Sequence, residues 1–134
     1  MALLFNAAKR QNPTDPDSPF KWYVVLKSLG MMSEREVALA ISDETTLNPK
    51  EAEMALYQLQ KVMINALLDG KTVQLGELGS FRLTVNSDGV DTEDEVTAMQ
   101  VKKVNLRFVP STRIKEQIAK ATFKPAKNLS SSNG

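Results

Sequence analysis

One long predicted helix, from residue 48 to residue 70, constrains the fold of this chain more than any other segment. Asn48 can cap its first turn, and Pro49 suits the first helical position. Gly70 suits the position that ends a helix. About 21 residues that rise roughly 1.5 Å each make a rod roughly 31 Å long.

This predicted helix is apolar on two sides. One stripe has the i, i+3, i+4, i+7 spacing of a core face and comprises Ala52, Ala55, Leu56, Leu59, Val62, Met63, Ala66 and Leu67. A second apolar side, interrupted by Lys61, carries Met54, Tyr57, Ile64 and Leu68. A chain of 134 residues has room for one good core, so a second copy of the chain could supply the second cover. We therefore expect a homodimer with this second side at its interface.

The composition excludes several classes of function. The chain has no Cys and no His, which removes thiol chemistry, disulfides, the commonest general base and the commonest transition-metal ligand. No phosphate-binding loop and no dinucleotide fingerprint are present. No apolar run of about 18 residues predicts a membrane span, and the first ten residues lack the features of a secretory signal. We expect a cytoplasmic protein that is not an enzyme, without cofactor, metal, small-molecule substrate or membrane partner.

The charge is unevenly distributed, although the net charge is only +1. A short acidic segment contains Asp88, Asp91, Glu93, Asp94 and Glu95. From residue 96 to residue 127, eight basic residues stand against Glu116 alone, a local charge of +7. Such a run fits either a solvated surface or a surface that binds a polyanion.

Hydrophobic periodicity predicts the remaining elements. Residues 2–10 and 20–27 read as two strands that can pair as a hairpin across a Pro- and Asp-rich loop, with Trp22 and Tyr23 as packing residues. Ser33 and Glu36 form a capping-box pattern for a short helix that ends near residue 42. The link to the long helix is longer than the turn of a sequence-reading helix-turn-helix, and the long helix begins with acidic residues, so we disfavour that motif.

After the long helix the period changes from 3.6 to 2. Strands are predicted within 71–85 and over 101–109, with a turn at Gly76–Gly79 and a polar excursion from residue 86 to residue 97. Alternation places Phe81 and Phe108 on an apolar face of an antiparallel sheet, and the opposite face carries Arg82, Thr84, Lys103, Asn105 and Arg107. After Pro110 we expect a final helix with Ile114 and Ile118 inward and with Arg113, Lys115 and Lys120 outward. A disordered tail is predicted from residue 124 onward.

This order of elements resembles the HU and integration-host-factor family of bacterial architectural DNA-binding proteins. The resemblance rests on residues 68–75 (LDGKTVQL), on 76–81 (GELGSF), and on Phe108-Val109-Pro110 followed by Ile114-Lys115. It spans roughly residues 33–122. The preceding strands resemble the N-terminal extension of HU-like proteins typical of Bacteroidetes. The domain layout we expect is therefore a β extension over 1–30, an HU-like domain over 31–123 and a tail over 124–134.

The resemblance implies an α+β fold that forms an intertwined homodimer. In that family two sheets form a basic saddle, and two β-arms enter the DNA minor groove and bend the duplex. This chain departs from the pattern because residues 86–98 are acidic and contain no Pro, Lys or Arg. Ser111 and Thr112 also stand where the family has Gly-Lys. We therefore expect a shortened arm that does not insert into DNA.

Two hypotheses follow from these observations. The first is a homodimeric, sequence-nonspecific architectural protein of the nucleoid that binds double-stranded DNA through Arg82, Thr84, Lys102, Lys103, Asn105, Arg107, Arg113, Lys115 and Lys120. Its dimer interface would comprise Met54, Tyr57, Ile64, Leu68, Phe81 and Phe108. The second is an HU-like dimeric scaffold for protein interactions with weak or no DNA binding, which the acidic excursion and the near-zero net charge favour.

Overall fold

Two compact units make up the chain in this computed structural model, which describes residues 1–126. One unit combines Met1–Met31 with the described residues from Ile118 onward, and the other is Met32–Gln117. The elements are β1 (Leu3–Arg10), β2 (Lys21–Leu26), α1 (Glu34–Glu44), α2 (Pro49–Leu68), β3 (Val73–Gln74), β4 (Gly79–Ser87), β5 (Val101–Pro110), α3 (Thr112–Ile118) and β6 (Phe123–Pro125). Among the described residues, no helix combines the length and apolar character needed to cross a membrane.

The N-terminal unit is a three-stranded sheet in the order β2-β1-β6. Strands β1 and β2 pair antiparallel, which confirms the predicted hairpin. Strand β6 adds to β1 in parallel, with Leu3 opposite Phe123 and the Leu3 amide donating to the Thr122 carbonyl at 2.8 Å. The predicted disordered tail was wrong for Lys124 and Pro125, because pairing with the distant β1 satisfies their backbone; residues 127–134 of that tail lie outside the described residues.

Both helices of the larger unit begin at the predicted caps. The Ser33 hydroxyl accepts from the Glu36 amide at 3.2 Å, and the Asn48 side-chain oxygen accepts from the Glu51 amide at 2.8 Å. Helix α2 ends in a Schellman motif, in which the amides of Gly70 and Lys71 donate to the carbonyls of Leu67 and Ala66 at 3.0 Å each. Gly70 adopts φ +84°, which a glycine accommodates without strain. Helix α1 continues two residues beyond the predicted end.

The core of the larger unit is small. Helix α1 packs against α2, where Ala38 and Ala52 are each 1% exposed, and α2 also packs against β3 and β4. Leu67 is buried and Leu56, Met63 and Ala66 are half-buried, which confirms part of the predicted stripe. The stripe was too wide, however, because Ala55, Leu59 and Val62 are exposed. Helix α1 and the strands β3 and β4 are too small to cover so broad an apolar surface of a 20-residue helix.

The second sheet has the order β3-β4-β5, and its strands are antiparallel as predicted. Phe81 lies directly opposite Phe108, and their rings are 4.8 Å apart between centroids with an interplanar angle of 39°. Leu83 opposite Leu106 and Val85 opposite Val104 continue this apolar face. Alternation then places the polar residues between them on the other face of the sheet.

The turn between β3 and β4 requires Gly79. This residue adopts φ +144°, and a Cβ atom there would lie 2.3 Å from the Val109 carbonyl oxygen and 2.9 Å from the Phe108 ring. The Leu75 amide donates to the Gly79 carbonyl at 2.9 Å, and the Leu78 amide donates to the Leu75 carbonyl at 3.0 Å. The predicted Gly76–Gly79 turn is thus confirmed. Gly79, its last residue, is also the first residue of β4 to pair with β5.

Helix α3 begins at a cap that also holds this turn. The Ser111 hydroxyl accepts from the Ile114 amide at 3.1 Å and donates to the Glu77 carbonyl, and the Ser111 amide donates to the Leu78 carbonyl at 3.2 Å. Ile114 is half-buried as predicted. The prediction that Ile118 points inward was wrong, since α3 ends at this residue and 63% of it is exposed.

Candidate nucleic-acid interface

The polar face of the β4–β5 pair carries a cluster of predicted site residues, which we call the basic sheet face. Arg82 lies directly opposite Arg107, Thr84 opposite Asn105, and Lys103 opposite Asn86. The three cations are exposed, whereas Thr84 and Asn105 are half-buried between them. The strand register therefore brings together the five residues that alternation in the sequence had placed on one face.

The three cations of the basic sheet face have no carboxylate partner among residues 1–126. The two ion pairs of this described part are Lys102–Asp88 and Arg113–Glu77, each with a nitrogen–oxygen distance of 2.9 Å. Like charges directly opposite each other in a sheet destabilise it, by up to about 1 kcal/mol. The Arg82–Arg107 pair is thus unfavourable within the chain itself, and a bound anion would offset that cost.

The chemistry of this face suits oxyanions of a nucleic-acid backbone. A guanidinium presents a planar fork of donors that matches phosphate geometry, and Lys103 adds a compact positive charge. The Asn105 side-chain amide donates to the Asn86 side-chain oxygen at 2.7 Å, so these two amides are held by each other. The arrangement can therefore bind phosphates.

The other residues predicted to contact DNA are not part of the basic sheet face. Lys102 lies at a register shift near Asn86 and Ser87 and pairs with Asp88, and Arg113 pairs with Glu77 at the start of α3. Lys115 is an exposed residue of α3. Lys120 was expected on the final helix, but α3 ends before it and the residue belongs to the N-terminal unit. No pattern in the sequence indicated the two ion pairs, because strand register and the Gly76–Gly79 turn create them.

The acidic excursion is a short folded loop instead of an extended arm. Two single-turn 3₁₀ segments occupy Glu93–Glu95 and Ala98–Gln100. The Gln100 side-chain amide donates to the Asp88 carbonyl at 2.7 Å, and its oxygen accepts from the Thr97 amide at the same distance. These bonds close the loop at its base, and the Asp88–Lys102 ion pair lies beside them.

The second apolar side of α2 is not covered by the rest of the described chain. Met54 is 70% exposed, Tyr57 65%, Ile64 56% and Leu68 74%. Shallow concave patches lie along this side, one beside Met54 and Tyr57 and another beside Tyr57 and Ile64. Of the two aromatic residues predicted at the same interface, Phe81 is half-buried and Phe108 is 41% exposed.

The sequence model of one protein family matches residues 1–125, and that family is described as an HU domain fused to a winged helix-turn-helix, an immunoglobulin-like or a glycine-rich motif. Because the match covers almost the whole chain, the chain belongs to this HU-HIG family. This finding confirms the resemblance to HU proteins that the Gly-Phe turn and the Phe-x-Pro segment indicated. No curated protein matches the sequence.

The solved structures that are similar to this one include the following two. A protein from Bacteroides vulgatus ATCC 8482, provisionally described as a bacterial DNA-binding protein, aligns over 93% of this chain with a TM-score of 0.65 and 12% identity. This chain spans only 48% of that protein's length. Anabaena HU, crystallised with DNA, aligns over 66% of this chain and 99% of its own length, with a TM-score of 0.53 and 19% identity. At these identities the similarity shows an HU-like fold.

Proposed function

We propose that this chain is a sequence-nonspecific architectural DNA-binding protein of the nucleoid that acts as a homodimer and performs no chemistry. The observation that carries the proposal is the basic sheet face, where Arg82 and Arg107 lie directly opposite each other and Lys103 follows without a carboxylate partner in the described chain. Membership of the HU-HIG family and the fold shared with DNA-bound Anabaena HU support the same conclusion.

Nonspecific binding follows from the kinds of contact that this face offers. Arginine and lysine on an exposed sheet neutralise phosphates, and phosphate contacts position a protein on DNA without reading its sequence. Lys115 is an exposed cation of α3, whereas Lys102 and Arg113 each have a carboxylate within 2.9 Å that offsets part of their attraction for DNA. We therefore assign most of the affinity to Arg82, Lys103 and Arg107.

The acidic excursion does not take part in this mode of binding. Its carboxylates would be repelled by the DNA backbone, and the segment offers no proline to wedge between base steps. The loop is closed at its base by the side chain of Gln100. The proposed complex therefore bends DNA less than one in which two arms intercalate.

The uncovered side of α2 supports the homodimer. Four large apolar residues on one helix face, each more than half exposed, are an apolar surface of the kind that marks a protein interface. The apolar face of the β4–β5 pair adds to it, since Val85, Val104 and Leu106 are exposed at 56%, 55% and 63%. A second copy of the chain would present the same surfaces and could cover both.

A titration of labelled duplex at several salt concentrations tests the DNA-binding face. The Arg82/Lys103/Arg107→Ala variant removes three cations, so the slope of log affinity against log salt should become shallower by up to about 2.7 per chain, at about 0.9 for each phosphate contact. The matched control is Lys27/Arg35/Lys71→Ala, which removes the same charge from exposed positions outside the basic sheet face. Circular dichroism should show that both variants remain folded.

The outcomes separate the two candidate functions. Equal loss of affinity in both variants would mean that only net charge matters, and unchanged binding by the sheet variant would refute the site. If the natural sequence forms no complex with duplex even at low salt, the result favours the second candidate function, an HU-like dimeric scaffold for protein interactions. The acidic excursion and the net charge of +1 are the observations that favour that second function.

A further inference from the structure

The N-terminal sheet carries a second pair of cations across neighbouring strands. Arg10, the last residue of β1, lies directly opposite Lys21, the first residue of β2. Neither side chain forms an ion pair with any residue of the described chain, since Lys102 and Arg113 account for the ion pairs found there. As on the basic sheet face, two like charges face each other without an internal partner, which is unfavourable in the free protein.

An exposed aromatic ring lies next to this pair. Tyr23 is two residues along β2 from Lys21 and therefore shares its face of the sheet. Its cross-strand neighbour is Ala8, a small residue, and 47% of Tyr23 remains exposed. The sequence predicted that Tyr23 is a packing residue, yet almost half of it remains open to solvent in the single chain.

Arg10, Lys21 and Tyr23 line one cleft together with the loop that joins β1 to β2. The Gln11 side-chain amide shapes this loop by donating to the carbonyls of Pro16 and Ser18. The carboxylates nearest in sequence are Asp15 and Asp17, and neither lines the cleft. The Asp15 carboxylate instead accepts from the Asp17 amide at 3.2 Å.

The neighbouring cation Lys9 is already engaged elsewhere. Lys9 precedes Arg10 on β1 and therefore lies on the opposite face of the sheet. Its amine is 5.2 Å from the centroid of the Phe20 ring. Over residues 1–31 and 118–126 the N-terminal unit nevertheless contains six basic and two acidic residues. The cleft is therefore a concave site in a positively charged unit, with two unpaired cations and one open aromatic ring.

We propose that this cleft binds single-stranded nucleic acid, with Arg10 and Lys21 on the backbone phosphates and Tyr23 stacked on a base. Proteins that hold single strands without sequence preference combine cations that follow the backbone with aromatic rings on which bases stack. An unpaired base is required because the bases of a duplex already stack on one another. The chain thereby holds two ligands on two sheets: duplex on the basic sheet face, and an unpaired strand on the N-terminal unit.

Fluorescence anisotropy with a labelled oligodeoxythymidine tests this proposal, because the probe has no duplex structure. The full-length chain should carry Arg82/Lys103/Arg107→Ala, so that the remaining affinity does not come from the basic sheet face. In that background Tyr23→Ala should weaken binding about 5- to 150-fold, while Tyr23→Phe, which keeps the ring, should retain it. Arg10→Gln with Lys21→Gln should make the salt slope shallower by about 1.4, at about 0.7 for each single-strand contact.

The control is Lys9→Gln, which changes the adjacent cation that faces the Phe20 ring and should leave the salt slope unchanged. Absence of oligodeoxythymidine binding, or equal binding by Tyr23→Ala and the parent, would overturn the proposal. If Arg10→Gln with Lys21→Gln fails to fold, the comparison of Tyr23→Ala with Tyr23→Phe decides alone. Duplex affinity of Tyr23→Ala in the otherwise natural sequence should stay unchanged, so failure here is distinguishable from failure of the duplex site.

Discussion

Ile64 lies on the uncovered side of α2, and the substitution Ile64→Glu should dissociate the proposed homodimer. Complete burial of a Leu, Ile or Met side chain contributes about 1.5–3 kcal/mol. Met54, Tyr57, Ile64 and Leu68 expose between 56% and 74% of their surface, so each can contribute about 1–2 kcal/mol on association. Four such residues from each of two chains give roughly 8–16 kcal/mol before the costs of association.

Those costs leave a small margin for the dimer. Loss of translational and rotational freedom alone requires about 4–15 kcal/mol. A carboxylate buried in an apolar interface without a partner costs several kcal/mol for each ion, and the dimer would contain two. The substitution should therefore shift the equilibrium to monomer at micromolar concentrations. The isolated chain exposes Ile64 to water already, so the same substitution should not prevent it from folding.

Size-exclusion chromatography with light scattering over a range of protein concentrations measures this shift. The matched control is Met99→Glu, because Met99 is a large apolar residue that is 94% exposed and lies in the 3₁₀ segment Ala98–Gln100, outside the predicted interface. The natural sequence and Met99→Glu should have the mass of a dimer, and Ile64→Glu that of a monomer. A natural sequence that is monomeric at all concentrations, or an Ile64→Glu variant that remains dimeric, would refute the interface.

Two further predictions concern the β3-β4-β5 sheet. Gly79→Ala should lower the free energy of unfolding by at least about 3 kcal/mol in chemical denaturation, since its Cβ would meet the Val109 carbonyl at 2.3 Å, whereas Gly89→Ala, with open space around it, should change it by less than about 0.5 kcal/mol. If the two substitutions changed the free energy of unfolding equally, the turn would tolerate a side chain at residue 79. Arg82→Thr removes the like-charge pair with Arg107, so the free energy of unfolding should stay equal or rise by up to about 1 kcal/mol while duplex affinity falls. A loss of stability instead would mean that the Arg82 side chain packs within the fold.

Local signals in the sequence predicted much of the fold. Several of these signals act over fewer than about six residues, so a short sequence pattern is enough to predict them. They are the caps at Ser33 and Asn48, the glycine that ends α2, and the Gly76–Gly79 turn. Alternation along β4 and β5 placed Arg82, Lys103 and Arg107 on one face, since the side-chain period of a strand does not depend on its partner.

Contacts between distant segments were outside the reach of these signals. Strand β6 joins β1 across more than one hundred residues, and three residues containing a lysine and a proline carry no pattern that predicts such pairing. The ion pairs of Lys102 and Arg113 likewise depend on which carboxylate the register shift and the turn bring near. The sequence placed these two cations in the candidate site, and only the structure shows that each has a carboxylate partner within 2.9 Å.

By itself, the sequence determined where α1 and α2 begin and where α2 ends, which faces of the strands are polar, and that the chain has more apolar helix surface than one small core can bury. Only the tertiary structure decided which cations lack a carboxylate partner, as at the Arg82–Arg107 pair. It also decided which aromatic side chains remain exposed, as in the cleft of Arg10, Lys21 and Tyr23. The physical reason is the range of the interactions. Backbone conformation and side-chain period are properties of neighbouring residues, whereas charge pairing and burial depend on atoms that only the folded chain brings together.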